Sequence, residues 1–537
     1  MKLPKSKYSE YISLRNSDII PSWSIKPVST NVYEAITPNK LNIQLSNNIN
    51  DTFSSIDTPQ YQSTMLWYHS LSWLRIIFNK YYDYEFVNNF IDIYYNFLNS
   101  QESQIIFDTL TSRDHLVAEQ IRNLTYFLVQ EDNKFFNKKK ARSILLTLID
   151  WAIQPSNIAN NNHGMMLASS LLHTPLFLNI DPLLENNIIN LASKRLIEII
   201  KSAFDAYGLC NENTPAYQKF YIKFLKQQIC ELLFLKEYEP RYSVIADELD
   251  DIMKIAQHTL DLIALPNGTL PPFGDGNLSS QTMANQLDYA EFYSLDSGFY
   301  SIKHKRFRSR YFSMKCGYSS TTHKHSDDTS IFYWYDGIPI ITDAGFLNYD
   351  WKDPCNVLVK SQRGHSGAFY YKYDHFYPIA LYQDGSSEKS RILSHMIVNK
   401  EGNLTIIKGS VTIDHVYHVE RTVQFSHLNN ILITDRFRVE EDSRYIEKCA
   451  RFLIPSEHKI EKHEGFLLIS NDKFILKLIY KSGNVVIKKG VIRNSIPYGG
   501  WIVKTPFKSL QECNTIEIFL DKDENFLVIN LLLEELE

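Results

Sequence analysis

The chain has 537 residues and a formal net charge of −5 at pH 7. Its length predicts at least two domains. The charge disfavours a general attraction to nucleic acid or an anionic membrane, and no apolar stretch is long enough to span a bilayer. The six cysteines include no Cys-x-x-Cys pair, which argues against a disulfide framework or a zinc knuckle.

The first 60 residues carry no motif from which a structure can be predicted, and we treat them as an N-terminal extension of uncertain structure. They lack the apolar run and small-residue cleavage site of a secretory signal, so we expect a cytoplasmic protein or export by another route.

Residues 61–291 are predicted to form a helical domain. Apolar residues recur at three- and four-residue spacing over 62–80, 84–98, 113–130, 140–154, 164–174, 183–205, 215–236 and 243–264. Asp181-Pro182 and Thr214-Pro215 are typical helix starts. A Pro/Gly cluster over 265–276 ends this pattern, and one more helix is predicted over 278–291. Repeated amphipathic helices joined by short loops favour an (α/α) toroid.

Residues 292–537 are predicted to form an antiparallel β-sandwich. Short segments of alternating apolar and polar residues follow one another closely, for example FYSIKH, YFSMKCG, YHVERTVQF and NILITDRFRV. The fold class is therefore α+β and multidomain, with a toroid first and a sandwich second.

A set of histidines and one aspartate carries the strongest chemical signal. His323 and His325 are two residues apart, and on a regular strand they would share a face. Asp343 and His365 follow at the ends of later segments. Two imidazoles and a carboxylate from neighbouring strands can hold a divalent metal, with Zn²⁺ the best match, and this leaves one histidine to spare.

Three motifs in the helical half add candidates. Asn162 and His163 open a helix, although an asparagine there can simply be a cap. Tyr217 follows Glu212 and Thr214-Pro215 near a helix start, where the helix dipole lowers the cost of a phenolate, although a tyrosine there can also simply pack. His115 and Arg122 lie two helical turns apart on one face, which suits substrate binding and a solvated surface about equally.

Taken together, these motifs resemble those of the heparinase II/III-like polysaccharide lyases, including the related alginate and oligoalginate lyases. The resemblance covers most of the chain, and its motifs occur in the family's order. They are Asn162-His163-Gly164, Gly208…Glu212…Thr214-Pro215…Tyr217, His323-x-His325-x-Asp327, Asp343-Ala-Gly and Arg363-Gly-His365.

The resemblance implies roles for these residues. Tyr217 is implied as catalytic acid, or as both acid and base, and His323 as its partner base. Asn162 and His163 are implied to hold the substrate carboxylate. His325, Asp343 and His365 are implied as ligands of a structural zinc ion. The residues expected to bind substrate are His115, Arg122, Glu212 and Arg363.

The implied reaction is β-elimination on an acidic polysaccharide or oligosaccharide, which leaves an unsaturated uronate and makes the protein a carbon–oxygen lyase. It requires Tyr217 and the Asn162–His163 pair to meet His323 in one cleft.

Two alternatives remain open. An (α/α) glycoside hydrolase needs paired carboxylates, and no sequence pattern pairs Glu212, Asp275 or Asp327. A non-catalytic or biosynthetic polysaccharide-binding protein of a surface-glycan pathway needs none of this chemistry.

Overall fold

The computed structural model describes residues 2–16, 22–38, 41–49, 61–278, 284–305, 308–372, 392–440, 446–504 and 509–536. The chain folds as two compact units. The first comprises Met1–Ala203 and Phe224–Ile252, and the second comprises Phe204–Lys223 and Met253–Glu537.

The first unit is mainly helical. Its helices are α1 (Tyr8–Asn16), α2 (Tyr61–His69), α3 (Ser72–Ile76), α4 (Tyr84–Leu98), α5 (Gln101–Thr109), α6 (Arg113–Leu128), α7 (Lys138–Ala152), α8 (Asn162–His173) and α9 (Pro182–Ser202). A π-helical turn covers Ile77–Tyr81. A small antiparallel sheet of β1 (Ser24–Ser29), β2 (Val32–Ile36) and β3 (Asn42–Ser46) lies within the N-terminal extension.

Two long helices follow, α10 (Pro215–Leu235) and α11 (Arg241–Ile263). The helical segments predicted up to residue 264 are thus confirmed to within a few residues, except that the segment predicted over 62–80 is interrupted at Ser70 and Leu71. The signal at Asp181-Pro182 is confirmed in detail, because the Asp181 carboxylate accepts the backbone N–H groups of Leu183 and Leu184 at 2.8 and 3.3 Å. None of the helices in the described residues combines the length and apolar character needed to cross a membrane.

The helix predicted over 278–291 is wrong where it can be compared with the structure. Residues 284–288 are not helical, and Tyr289–Ser294 forms strand β4. The segment YAEFYS alternates exposed and buried side chains, which is the period of a strand. Residues 279–283 lie outside the described residues.

The second unit contains the β-sandwich. One sheet of five strands comprises β4, β5 (Phe299–His304), β6 (Arg310–Lys315), β7 (Ser330–Tyr335) and β8 (Ile338–Ile341). After β8 come a short helix, α12 (Pro354–Lys360), and strand β9 (Ala368–Lys372). The predicted antiparallel sandwich is confirmed, since all of the strand pairings described are antiparallel.

An eight-stranded sheet has the order β10-β11-β12-β13-β23-β17-β16-β15. Its strands are β10 (Ile392–Glu401), β11 (Leu404–Ile413), β12 (Tyr417–His427), β13 (Asn430–Val439), β15 (Lys459–His463), β16 (Phe466–Ser470), β17 (Phe474–Tyr480) and β23 (Phe526–Glu535). A third sheet has the order β18-β22-β14-β9, and β21 also pairs with β22. Its further strands are β14 (Ile446–Ile454), β18 (Asn484–Lys489), β21 (Gly500–Lys504) and β22 (Ser509–Phe519).

Buried apolar side chains from these sheets form one core, with Phe312 from β6, Val423 from β12 and Phe452 from β14 among them. Along β11, every second residue is buried. One of these, Gly409, lies so close to the first sheet that an added Cβ would be 2.6 Å from the Met314 side chain. The packed sandwich leaves the loops at its strand ends to carry polar side chains.

Candidate active site

His323 and His325 lie on the loop between β6 and β7, and the strand predicted for them is wrong. His323 has a φ of 55°, which a strand cannot contain. The two imidazoles nevertheless converge, because both bind the carboxylate of Asp275. His323 Nδ1 lies 2.6 Å from Oδ2, and His325 Nε2 lies 2.8 Å from Oδ1. A shared carboxylate, rather than a shared strand face, brings these histidines together.

Asp275 reaches this position because glycines flank it in the loop after α11. A Cβ on Gly274, where φ is 58°, would lie 2.8 Å from the Asn213 carbonyl oxygen and 2.9 Å from that of His323. A Cβ on Gly276 would lie 2.8 Å from the Thr214 hydroxyl. Only glycine allows such a close approach of the backbone.

The Asp275 carboxylate is fully buried and also accepts a hydrogen bond of 2.8 Å from Lys360 Nζ. Burial alone would raise the pKa of Asp275, but the hydrogen bonds from His323 and His325 hold that pKa well below its usual range. Asp275 is therefore a fixed negative charge at the centre of three basic side chains.

A second carboxylate lies on the other side of the His323 ring. His323 Nε2 is 3.3 Å from Glu212 Oε2, an ion-pair distance, and Glu212 Oε1 accepts a hydrogen bond of 2.5 Å from the Tyr221 hydroxyl. Burial favours the neutral imidazole, but the interactions with Asp275 and Glu212 outweigh it and raise the pKa of His323 to about 9. Glu212, which was expected to bind substrate, contacts the predicted base in the structure.

Tyr217 lies at the start of α10 and its ring stacks on His323, with the ring centroids 4.0 Å apart and the planes at 26°. The expected meeting of these two residues is confirmed. Burial raises the pKa of Tyr217 well above its usual value, and the expected lowering by the helix dipole stays a prediction. The phenol therefore stays protonated at neutral pH.

Two side chains near this pair were not singled out from the sequence. The Tyr349 hydroxyl is 3.3 Å from the Tyr217 hydroxyl, and the Tyr349 side chain is otherwise exposed. Lys360 Nζ lies 5.5 Å from the Tyr349 ring centroid and 5.2 Å from those of Phe346 and Trp351. Tyr217, His323, Glu212, Asp275, Tyr349 and Lys360 are called the His323 cluster below, and all of them belong to the second unit.

Four other predicted site residues lie in the first unit: His115, Arg122, Asn162 and His163. His115 stacks on His163, with centroids 4.9 Å apart, and contacts the edge of Trp67. Desolvation and the neighbouring His163 lower the pKa of His115 to about 3, so its imidazole is neutral. Arg122 Nη1 lies 3.7 Å from the buried carboxylate of Glu119. A role of His115 or Arg122 in substrate binding stays a prediction.

The asparagine that caps α8 is Asn161 and not Asn162. Asn161 Oδ1 accepts the backbone N–H groups of His163 and Gly164 at 3.0 and 3.1 Å. A Cβ on Gly164 would lie 1.8 Å from the Ala159 carbonyl oxygen, so this position requires glycine. The capping alternative considered for Asn162 therefore does not explain that residue.

The predicted zinc ligands are only partly assembled. His365 Nδ1 is hydrogen-bonded to Asp343 Oδ2 at 2.7 Å, and the rings of His365 and His325 are 5.5 Å apart. In the part of the chain that the structure describes, His325 Nδ1 and His365 Nε2 are buried and have no hydrogen-bond partner. No three His, Cys, Asp or Glu side chains there are arranged to hold a metal. The zinc ion therefore stays a prediction.

Arg363, expected to bind substrate, is not in the His323 cluster as defined above. Its guanidinium carbon lies 4.6 Å from the centroid of the Tyr371 ring, and its side chain lines a separate pocket of the second unit. The segment from α12 to His365 thus directs Lys360 to Asp275 and Arg363 to this pocket.

Solved structures share this architecture. A heparinase III structure superposes with a TM-score of 0.69 at 12% identity, covering 98% of this chain and 84% of that one. A mutant of heparan sulfate lyase HepC from Pedobacter heparinus gives 0.61 at 13% identity, covering 99% and 88%. Another heparinase III structure gives 0.62 at 13% identity, covering 91% and 80%.

The fold is that of the heparinase III structures. The predicted (α/α) toroid followed by an antiparallel β-sandwich is thereby confirmed. No protein-family model matches the chain, and no match is found among curated protein sequences.

Proposed function

We propose that the protein is a lyase that cleaves a uronic-acid-containing glycan by β-elimination. The observation that carries this proposal is the stacking of Tyr217 on His323 at 4.0 Å, with His323 bound to the buried carboxylate of Asp275. An acidic and a basic group next to one another, the base oriented by a third group, is the arrangement expected for proton transfer on both sides of a breaking bond. The fold shared with heparinase III structures supports the proposal.

His323 takes the proton from C5 of the uronate. Asp275 on Nδ1 fixes the ring, so Nε2 is the nitrogen that exchanges a proton. A pKa of about 9 makes the neutral imidazole a stronger base than a free histidine, although a smaller fraction is neutral at pH 7. The C5 electron pair then forms the C4–C5 double bond as the C4–O bond breaks.

Tyr217 supplies the proton that the leaving oxygen needs. Its phenol is protonated at neutral pH because partial burial raises its pKa, which suits the acid role rather than the base role. The Tyr349 hydroxyl, 3.3 Å away, is placed to return a proton to Tyr217 after each turnover. Asn162 and His163 are proposed, from the resemblance alone, to hold the substrate carboxylate and stabilise the negative charge that develops.

A glycoside hydrolase is the weaker alternative. The structure does bring two carboxylates together, since Glu212 and Asp275 contact the same imidazole, a pairing that the sequence did not predict. A hydrolase needs one of its two carboxylates to carry a proton. Asp275 is buried among His323, His325 and Lys360, and its lowered pKa prevents that role.

The test is a screen of uronate polymers and oligomers for the ultraviolet absorbance of the C4–C5 double bond. We expect Tyr217→Phe to lower kcat about 10²–10⁴-fold while substrate binding is retained. Tyr207→Phe is the matched control, because Tyr207 belongs to the same unit and is exposed. A non-catalytic binding protein would give no absorbing product, and a hydrolase would give new reducing ends without that absorbance.

We also propose, from the resemblance, that His325, Asp343 and His365 bind a structural zinc ion. The buried ring nitrogens of His325 and His365 are the observation in its favour. Elemental analysis of the purified protein, together with the melting temperature before and after chelation, tests it. Metal-free protein with an unchanged melting temperature contradicts it.

A further inference from the structure

The second unit contains a strongly basic pocket of about 350 Å³. One face of the β18-β22-β14-β9 sheet contributes to it, as does a hairpin of β19 (Val491–Arg493) and β20 (Ile496–Tyr498). Among the described residues that line the pocket, five are cationic and one is a carboxylate: Arg363, Arg451, Lys488, Lys489 and Arg493, with Glu517. The volume lies in the range of small-ligand sites, about 300–1,000 Å³.

The Glu517 carboxylate is already bound by two of these cations. Glu517 Oε1 binds Arg451 Nη1 at 2.8 Å, and Oε2 binds Lys488 Nζ at 2.9 Å. Burial opposes ionisation of Glu517, but these cations outweigh it and keep the pKa below its usual value. Lys489 pairs with Glu512 at 2.9 Å, but both side chains are largely exposed, so this pair is weak.

Arg363 and Arg493 add two further cations to this lining. Arg363 is 8% exposed and stacks on Tyr371, and burial lowers the pKa of its guanidinium. Arg493 is at the tip of the hairpin, next to a turn whose residues Asn494 and Ser495 have φ values of 50° and 62°. Among the described residues, the Nε of Arg451 is buried and has no hydrogen-bond partner.

The described lining thus carries more positive than negative charge, in a protein whose net charge is −5. An excess of positive charge in a concave surface is unfavourable without an anion. Guanidinium groups match the planar fork of a carboxylate and the oxygens of a sulfate. The Tyr498 ring at the rim adds an apolar surface beside these cations.

We infer that this pocket is a second, non-catalytic site that binds a carboxylate or sulfate group of an acidic saccharide. It shares no lining residue with the His323 cluster. The saccharide identity of the ligand rests on the proposed function, whereas the anionic chemistry follows from the pocket itself.

Isothermal titration calorimetry tests the inference on the full-length Tyr217→Phe protein, so that the substrate is not consumed. The titrants are an unsulfated uronate oligomer, a sulfated glycosaminoglycan oligomer and inorganic sulfate alone. We expect Arg493→Ala and Arg363→Gln each to weaken binding of one of the two oligomers about tenfold, the loss of one charge-assisted contact. Arg438→Ala, an exposed arginine on β13, is the matched control and is expected to change nothing.

The oligomer that responds identifies the group that the pocket recognises. If inorganic sulfate binds and neither oligomer responds to Arg493→Ala or Arg363→Gln, the saccharide inference is wrong. If neither variant changes the affinity of any titrant while the melting temperature is preserved, the pocket does not bind anions.

The outcome is separable from that of the proposed function. A tenfold effect of Arg493→Ala in a protein whose wild type forms no unsaturated product supports the pocket and contradicts the lyase. If the wild type forms the unsaturated product and both pocket variants keep their affinity for the oligomers, the lyase is supported and the pocket inference is wrong. On a short oligomer, kcat is expected to be the same for wild type and Arg493→Ala, because Arg493 lies outside the His323 cluster.

Discussion

His115 in the first unit and His323 in the second both stack on aromatic neighbours, yet they differ in charge at neutral pH. Desolvation lowers the pKa of His115 to about 3, and the nearby Asp114 only partly opposes it. At His323 desolvation acts in the same direction, but Asp275 and Glu212 raise the pKa to about 9. The charge of an enclosed histidine is thus set by carboxylates from other segments, not by enclosure alone.

The largest expected effect is on catalysis at the charged histidine. His323→Asn should lower kcat about 10²–10⁴-fold. Asparagine is the replacement of choice because it tolerates the positive φ at this position. The initial rate of ultraviolet absorbance measures the effect. His258→Asn, on the exposed side of α11, is the control and should retain full activity. Equal rates for His323→Asn and His258→Asn would show that His323 takes no part in the reaction.

The next largest effect is expected on stability, at Asp275, the carboxylate that distinguishes the two histidines. Asp275→Asn leaves Lys360 and two imidazoles buried without their shared anion. The free energy of unfolding should fall by about 3–5 kcal/mol. The corresponding change in the first unit, Asp114→Asn, should cost less than about 1 kcal/mol, because its ion pair with His163 spans 3.6 Å and is partly exposed. Denaturant titration measures both, and similar losses would contradict the difference.

A smaller effect is expected where the first unit positions His163. Gly164→Ala forces a Cβ against the Ala159 carbonyl oxygen and should lower the free energy of unfolding by about 1–3 kcal/mol. Ser170→Ala, on the same helix, should leave it within about 0.5 kcal/mol. Thermal unfolding measures the difference, and a Gly164→Ala protein as stable as Ser170→Ala would show that this backbone contact is not tight.

The smallest effect is expected at the start of α8, where Asn161 caps the helix and Asn162 is the proposed substrate ligand. Asn161→Ala removes two hydrogen bonds at the start of α8 and should cost about 1 kcal/mol. Asn162→Ala removes no cap, so its melting temperature should be close to that of wild type while its KM or kcat worsens. An Asn162→Ala protein with wild-type kinetics would show that the Asn162 side chain plays no part in the reaction.

Periodicity was sufficient to predict most of the fold. Long helices such as α9 and α10 have strong apolar spacing and clear start signals, and the strands of the eight-stranded sheet alternate regularly. The short helix α5 and strand β1 were missed because few of their described residues are buried. Strands β2 and β3 alternate, but each is only five residues long. The error over 278–291 arose where a strand begins inside a polar segment that also suits a helix.

The candidate site was predicted in part. The motifs identified Tyr217 and His323 and brought them together, but His-x-His alternates like a strand even when a left-handed residue makes it a loop. No pattern identified Asp275 as the partner of His323, because the two residues are 48 positions apart along the chain. The flanking pair Gly274 and Gly276 was a usable signal, since glycines on both sides of a carboxylate indicate close backbone contacts.

The crowding around Gly274 and Gly276 also determines where this protein tolerates insertions. Lengthening the chain by one residue between 273 and 277 would move the carboxylate away from both imidazoles, and the backbone contacts there leave no room for a compensating bulge. The turn at Gly402 has no atom within 4 Å of its missing Cβ. An epitope tag or a fluorescent label should therefore be inserted at that turn. Insertions and deletions between related sequences are expected at such surface turns.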